Sequence, residues 1–102
     1  MRNKETSTST TPVEFSIILE SIIQKLGIGP KLKKAEAMDK WNEVVGEQIG
    51  NVTRPLKIEG ETLLVHVTSA VWRNELVFLK RELIAKVNKA VGQEIIKEII
   101  FR

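Results

Sequence analysis

The side chains with most chemistry to offer in this sequence are cations. Lys31, Lys33 and Lys34 cluster at the expected start of a helix, where the macrodipole already carries partial positive charge and disfavours them. Arg54 and Lys57 lie on an expected hairpin, and Arg73 and Asn74 open a later helix that also carries Phe78 and Arg81. Cations that no local structure explains are suited to phosphate, because each phosphate neutralised releases counterions and strengthens binding at low salt. Phe78 falls off the apolar stripe of its helix, among Asn74, Arg81 and Lys89. It reads either as a second packing side or as an exposed aromatic for a base or a partner. Lys31, Lys33, Lys34, Arg54, Lys57, Arg73, Asn74, Phe78 and Arg81 together form the candidate nucleic-acid or partner-binding set.

Other cations have local explanations. Lys86 and Lys89 fall near a helix C-terminus, which favours positive charge, and Glu82 with Lys86 makes an i, i+4 pair. Catalysis finds little support. A nucleophile needs a neighbouring base, and the single histidine, His66, sits on a strand between Val65 and Val67 with no partner nearby in sequence. No glycine-rich loop follows a strand, since Gly27-Ile28-Gly29 follows a helix, so nucleotide hydrolysis is not expected. The absence of cysteine excludes disulfides and thiolate metal sites and fits a reducing compartment. The sequence therefore assigns no catalytic residue, metal, cofactor or small-molecule substrate.

The elements that must position the candidate residues follow from periodicity. Residues 1 to 12 are polar and Ser/Thr-rich and are expected to form a disordered tail without the apolar run of a signal sequence. Phe15, Ile18, Leu19, Ile22, Ile23 and Leu26 have the spacing of one helix face, ended by Gly27 as a C-terminal cap. Pro30 opens a second helix expected from Lys31 to Gly50, with Ala35, Met38, Trp41, Val45 and Ile49 buried and Gly46 explained by a close backbone approach. A turn over Asn51 to Pro55 leads into strands Leu56 to Glu59 and Thr62 to Thr68, joined at Gly60-Glu61. Thr68 or Ser69 caps a long helix from Ala70 to Val91, with Trp72, Leu76, Leu79, Leu83, Val87 and Ala90 on its apolar stripe. Gly92 ends that helix, and the Ile-rich C-terminus returns as a third strand. Both tryptophans, Trp41 and Trp72, fall on apolar stripes and read as core rather than as base-stacking platforms.

At 102 residues the chain suits one domain, over 13 to 102, and no apolar run approaches the roughly 20 residues a membrane span needs. The net charge of +3 resides in residues 69 to 92, since the other segments nearly cancel. Helix, helix, strand, strand, helix, strand implies an α+β layer, a three-stranded mixed sheet with helices on one face.

Two segments, Trp41-Asn42-Glu43-Val44-Val45-Gly46 and Thr68-Ser69-Ala70-Val71-Trp72-Arg73-Asn74-Glu75-Leu76, bracket the hairpin, and the chain closes on Ile95-Ile96-Lys97-Glu98-Ile99-Ile100-Phe101-Arg102. That layout, over roughly residues 14 to 102, resembles the DciA family, small bacterial proteins associated with loading the replicative DNA helicase. The resemblance implies a KH-like fold and the helicase as partner, and contact with single-stranded DNA is expected to be weak and electrostatic. The cysteine-free composition and the polar N-terminus give the expectation of a cytoplasmic setting, with nucleoid association allowed. Family members often carry a disordered C-terminal extension involved in DNA or helicase contact. Nucleic-acid-binding KH domains clamp the backbone with a GxxG loop between two helices, and this sequence contains no GxxG. The expected function is a non-enzymatic replication accessory. The alternatives are a structural adaptor that binds only protein, through a sheet edge or Phe78, and an RNA- or ribosome-binding KH-like module.

Overall fold

The computed structural model describes residues 11–102. The first helix, α1, spans Pro12–Leu26. Thr11 accepts a hydrogen bond from the Glu14 amide at 3.1 Å, and the Glu14 carboxylate accepts one from the Thr11 amide at 3.1 Å, a reciprocal cap that satisfies two otherwise orphaned donors. Residues 1–10 of the expected tail lie outside the described residues, whereas Thr11 and Pro12 open the helix. Gly27 closes it in the left-handed conformation, as expected. The apolar stripe has the predicted spacing, yet no residue of α1 is buried.

The expected second helix is two helices. α2 runs Gly29–Val45 and α3 runs Glu47–Gly50. Gly46 stands between them at φ 90° and ψ 166°, backbone that side-chain-bearing residues rarely adopt. A Cβ added at Gly46 would meet nothing within 4 Å, so its conformation and not a close approach explains the glycine. The buried face of α2 also differs from expectation. Ala37 and Trp41 are buried, Met38 and Val45 half-buried, and Ala35 exposed.

The bend after Val45 sets Ile49 below Trp41 and leads directly into β1, Thr53–Glu59, which begins within the segment expected to be a turn. Thr53 accepts a hydrogen bond from the Trp41 indole N–H at 2.9 Å and donates its own proton to the Ile49 carbonyl at 2.7 Å. The buried indole and hydroxyl are thereby both satisfied. β2 spans Thr62–Val67 and pairs antiparallel with β1 across the Gly60-Glu61 turn, with an irregularity between Pro55 and Lys57. β3, Glu98–Phe101, pairs parallel with β2, giving the sheet order β1-β2-β3. Leu63, Val65 and Val67 of β2 join Ala37, Trp41, Leu76, Leu83, Val87, Val91, Ile95, Ile96 and Ile99 in one continuous core on one side of the sheet. The α+β class and the mixed three-stranded sheet are as the sequence implies.

The expected long third helix is also divided, into α4, Ala70–Phe78, and α5, Lys80–Val91. Ser69 caps α4. Leu79 breaks the run at φ −99° and ψ 2°, its amide turning back to the Leu76 carbonyl at 3.0 Å. No glycine or proline marks this break. Its reason is tertiary: α4 packs on β2 and β3, whereas α5 packs along α2. Trp72 consequently lies half-buried at the edge of the core instead of within it. After Gly92, the Asn88 side chain holds the chain leading to β3. Its amide donates to the Ile96 carbonyl at 2.9 Å, and its oxygen accepts from the Ile95 and Ile96 amides at 3.0 and 3.1 Å.

Two expectations for stability follow from this packing. Trp41→Ala should cost about 3 to 5 kcal/mol, clearly more than Trp72→Ala. Asn88→Ala, which strands the amides of Ile95 and Ile96, should cost about 2 to 4 kcal/mol. Urea unfolding of each variant measures both, and equal losses at the two tryptophans would contradict the assigned burial. A third expectation concerns acid. The Ile99 amide, and then Lys80 at 3.1 Å, hold the Glu98 carboxyl below its usual value. A depressed carboxylate stabilises above its unfolded value and loses that contribution as pH falls through the folded one, so Glu98→Gln should flatten the stability profile below about pH 4.5. Thermal melts across that range test it.

Candidate functional site

Alternation along the strands separates two sheet faces. Leu63, Val65 and Val67 point into the core, so Leu64 and His66 point to the opposite side, which none of the core helices covers. Across β1, Arg54 stands opposite His66 and Lys57 opposite Leu64, while on β3 Ile100 stands opposite Leu64. Leu64 is buried among these neighbours without belonging to the core, and Ile100 remains exposed. The outer face thus has an apolar centre, Leu64 and Ile100, bordered by the exposed cations Arg54 and Lys57. Lys57 also pairs with Glu59 at 3.3 Å, an exposed contact of little energetic weight.

Arg73 does not share that freedom. Its guanidinium donates to the Val67 carbonyl at 3.1 Å, joining the first turn of α4 to the end of β2, and its Nε is buried without a partner. Farther along α4, Val71, Asn74 and Phe78 follow helical spacing on one exposed face, and Phe78 is 84% exposed. Phe78 therefore does not form a second packing side within the chain. Arg81 lies just beyond the break at Leu79 and is also exposed.

The lysine cluster of α2 is not a uniform surface. Lys33 donates to the Val91 carbonyl at 3.1 Å and lies 3.6 Å from Glu36. Lys40 donates to the Ala90 carbonyl at 3.2 Å and pairs with Glu36 at 3.1 Å. The hydrogen bond from Lys40 leads the causes that keep the Glu36 carboxyl below its usual value. Both lysines therefore complement the negative end of α5, a helix other than their own. Lys33 thus has a structural reason that its sequence neighbourhood hides, because its partner is 58 residues away. Lys31 is exposed and Lys34 half-buried. Sequence reasoning missed Lys40 and Asn88 for the same cause: only the fold brings their partners close.

The candidate set is thus divided among the outer sheet face, the outward face of α4 and the junction of α2 with α5. Among the described residues no group of three or more His, Cys, Asp or Glu side chains is placed to hold a metal ion, and no helix is long and apolar enough to cross a membrane. Lys86 pairs with Glu82 at 3.2 Å, as expected.

Charge reversal should separate the structural cations from the exposed ones. Arg73→Glu removes the donor to Val67 and places an anion in a half-buried site, so a destabilisation of about 1 to 3 kcal/mol is expected. Arg54→Glu and Lys57→Glu should each stay within about 0.5 kcal/mol of the parent. Chemical denaturation decides the matter, and equal destabilisation at all three positions would remove the distinction.

Residues 14–101 match the family model described as Dna[CI] antecedent, DciA. A UPF0232 protein of Rhodococcus jostii is 27% identical over 88 residues, covering 86% of this chain and 47% of the relative. A UPF0232 protein of Mycobacterium tuberculosis is 27% identical over 78 residues, covering 76% of this chain and 42% of the relative. One from Corynebacterium glutamicum is 28% identical over 82 residues, covering 80% and 46%. The chain spans about half the length of the curated relatives it matches. Because the family model runs through α1, the whole sheet and both helices of the β2 to β3 crossover, the chain belongs to the DciA family.

Proposed function

We propose that this chain is a non-enzymatic accessory of DNA replication that engages the replicative helicase and makes weak, electrostatic contact with single-stranded DNA. The family match over residues 14–101 carries this reading, since the DciA family is associated with helicase loading. The form of the DNA contact is drawn from the residues. Arg54 and Lys57 are exposed on the uncovered sheet face, and Phe78 and Arg81 are exposed beside the α4 to α5 break. KH domains that bind nucleic acid place a GxxG loop between two helices. Here the corresponding stretch is Phe78-Leu79-Lys80-Arg81, whose side chains would keep a phosphate backbone from the close approach that glycines allow. Contact would then rest on phosphate charge and on stacking by Phe78, which supports low affinity and low sequence preference.

The test combines helicase capture with DNA titration. The purified chain should retain the replicative helicase from extracts of its own cell. Its single-stranded DNA affinity should fall sharply between about 50 and 200 mM salt. Each phosphate neutralised on a single strand adds about 0.7 to the salt slope, so Arg54→Ala with Lys57→Ala should reduce that slope by roughly 1.4. Phe78→Ala should weaken binding by about 1 to 3 kcal/mol while leaving the slope unchanged. Helicase capture without DNA binding would favour the protein-only adaptor. A marked preference for RNA of matched sequence would favour the RNA-binding module.

A further inference from the structure

Helix α1 has its faces the wrong way round for a helix that serves its own domain. Its side toward α2 is lined by Ile17, Glu20, Ser21, Ile23 and Gln24, bordering an open cleft whose other wall includes Leu32, Lys33 and Glu36. That side mixes Ile17 and Ile23 with Glu20, Ser21 and Gln24. Phe15, Ile18, Leu19, Ile22 and Leu26 do not line the cleft, and each is 44% or more exposed. Successive helical residues turn by about 100°, so Ile22 and Gln24 lie on opposite sides of the helix and the apolar stripe faces away from the domain. Closing α1 onto α2 would not bury it.

The stripe is self-complementary. Phe15, Leu19, Ile22 and Leu26 alternate spacings of four and three residues, the seam by which helices pack side by side. When a second α1 runs antiparallel, Phe15 meets Leu26 and Leu19 meets Ile22, large residue against large residue over the whole seam. Charge selects the same direction. Glu14 and Lys25 lie about three turns apart on the same flank of the stripe. Antiparallel pairing sets each Glu14 near the partner's Lys25, whereas in a parallel pair residues of the same flank lie on opposite sides of the seam and gain no such contact. The macrodipoles also align favourably when antiparallel. A lone helix of 15 residues is marginal in water even with good caps, so a packing partner also accounts for its complete N-terminal and C-terminal caps in an element that buries nothing at home.

We propose that α1 is a self-association element that joins two copies of this chain through an antiparallel pairing of the Phe15, Leu19, Ile22 and Leu26 stripes. The surface is separate from the outer sheet face and from α4, so dimerisation and DNA contact can be altered independently.

Sedimentation equilibrium on the whole chain, compared with Ile18→Glu and Ile22→Glu, tests the association. The parent should have twice the 11.5 kDa monomer mass. Ile22→Glu places two carboxylates in the apolar seam of a dimer and should raise its dissociation constant by about 100-fold, and Ile18→Glu, at the border of that seam, should raise it by less. At concentrations low enough that the parent is also monomeric, circular dichroism and thermal melts should match the parent, because both positions are exposed in the single chain. Direction is read by crosslinking, which the cysteine-free sequence permits. Phe15→Cys mixed with Leu26→Cys should give a disulfide between the two variants, and neither alone should self-link. A parent that stays monomeric to about 1 mM would overturn the proposal, as would self-linking by Phe15→Cys alone. A monomer whose melting temperature falls in Ile18→Glu would also overturn it, because the stripe would then pack within its own chain. Single-stranded DNA affinity per chain, measured on Ile22→Glu, should be retained, so failure of the dimer leaves the DNA reading separately testable.

Discussion

The hydroxyl of Thr53 is the point on which the described structure turns. A tryptophan buried completely in a core this small brings large apolar stabilisation together with one N–H that must be satisfied. Thr53 accepts that N–H and passes its own proton to Ile49, so one side chain joins α2, α3 and the first residue of β1. The angle between α2 and the sheet follows from this arrangement, and with it the space that Leu76, Leu83 and Val87 fill from the other side. The positive-φ backbone at Gly46 serves the same end, because it ends α2 and lets α3 present the Ile49 carbonyl to Thr53.

A second requirement is a secure end for α5. Its final carbonyls face the interior edge of the molecule, where they receive Lys33 and Lys40, and Asn88 carries the following backbone down to β3. β3 is short and forms the parallel edge of the sheet, and its register is held by the ladder to β2, by the Lys97 and Glu98 amides donating to the Glu61 carbonyl, and by the buried Ile99. The basic character of the chain is thus partly architectural. Lys33, Lys40 and Arg73 direct their charge to carbonyls and carboxylates of the fold, which leaves Arg54, Lys57, Lys31 and Arg81 as the exposed remainder of the candidate cations.

What faces outward is unevenly finished. The sheet side opposite the helices has an apolar centre with a basic border, α4 offers Phe78 to solvent, and α1 extends an apolar stripe away from the core. A small domain gains from burying such surface, and each of these features departs from that rule. Their separation in space allows distinct contacts to be made without competition, which suits a protein whose family acts beside a larger machine.

The sequence by itself determined the class, the sheet and most turns, because these depend on local periodicity and on residues with special backbone freedom. The two-faced pattern of β2, the Gly60-Glu61 hairpin, the caps at Gly27 and Gly92, and the burial of Trp41 were all legible for that reason. Residue patterns also singled out Phe78 as lying off its stripe. Only the tertiary structure decided the rest. The break at Leu79 carries no local signal, since it arises where one helix must serve two packing surfaces. The apolar stripe of α1 announces a helix but not what covers it, and the stripe faces away from the domain. Whether a cation is architectural or exposed depends on partners such as Val91 for Lys33, a contact that spans 58 residues of chain and exists only once the fold has formed.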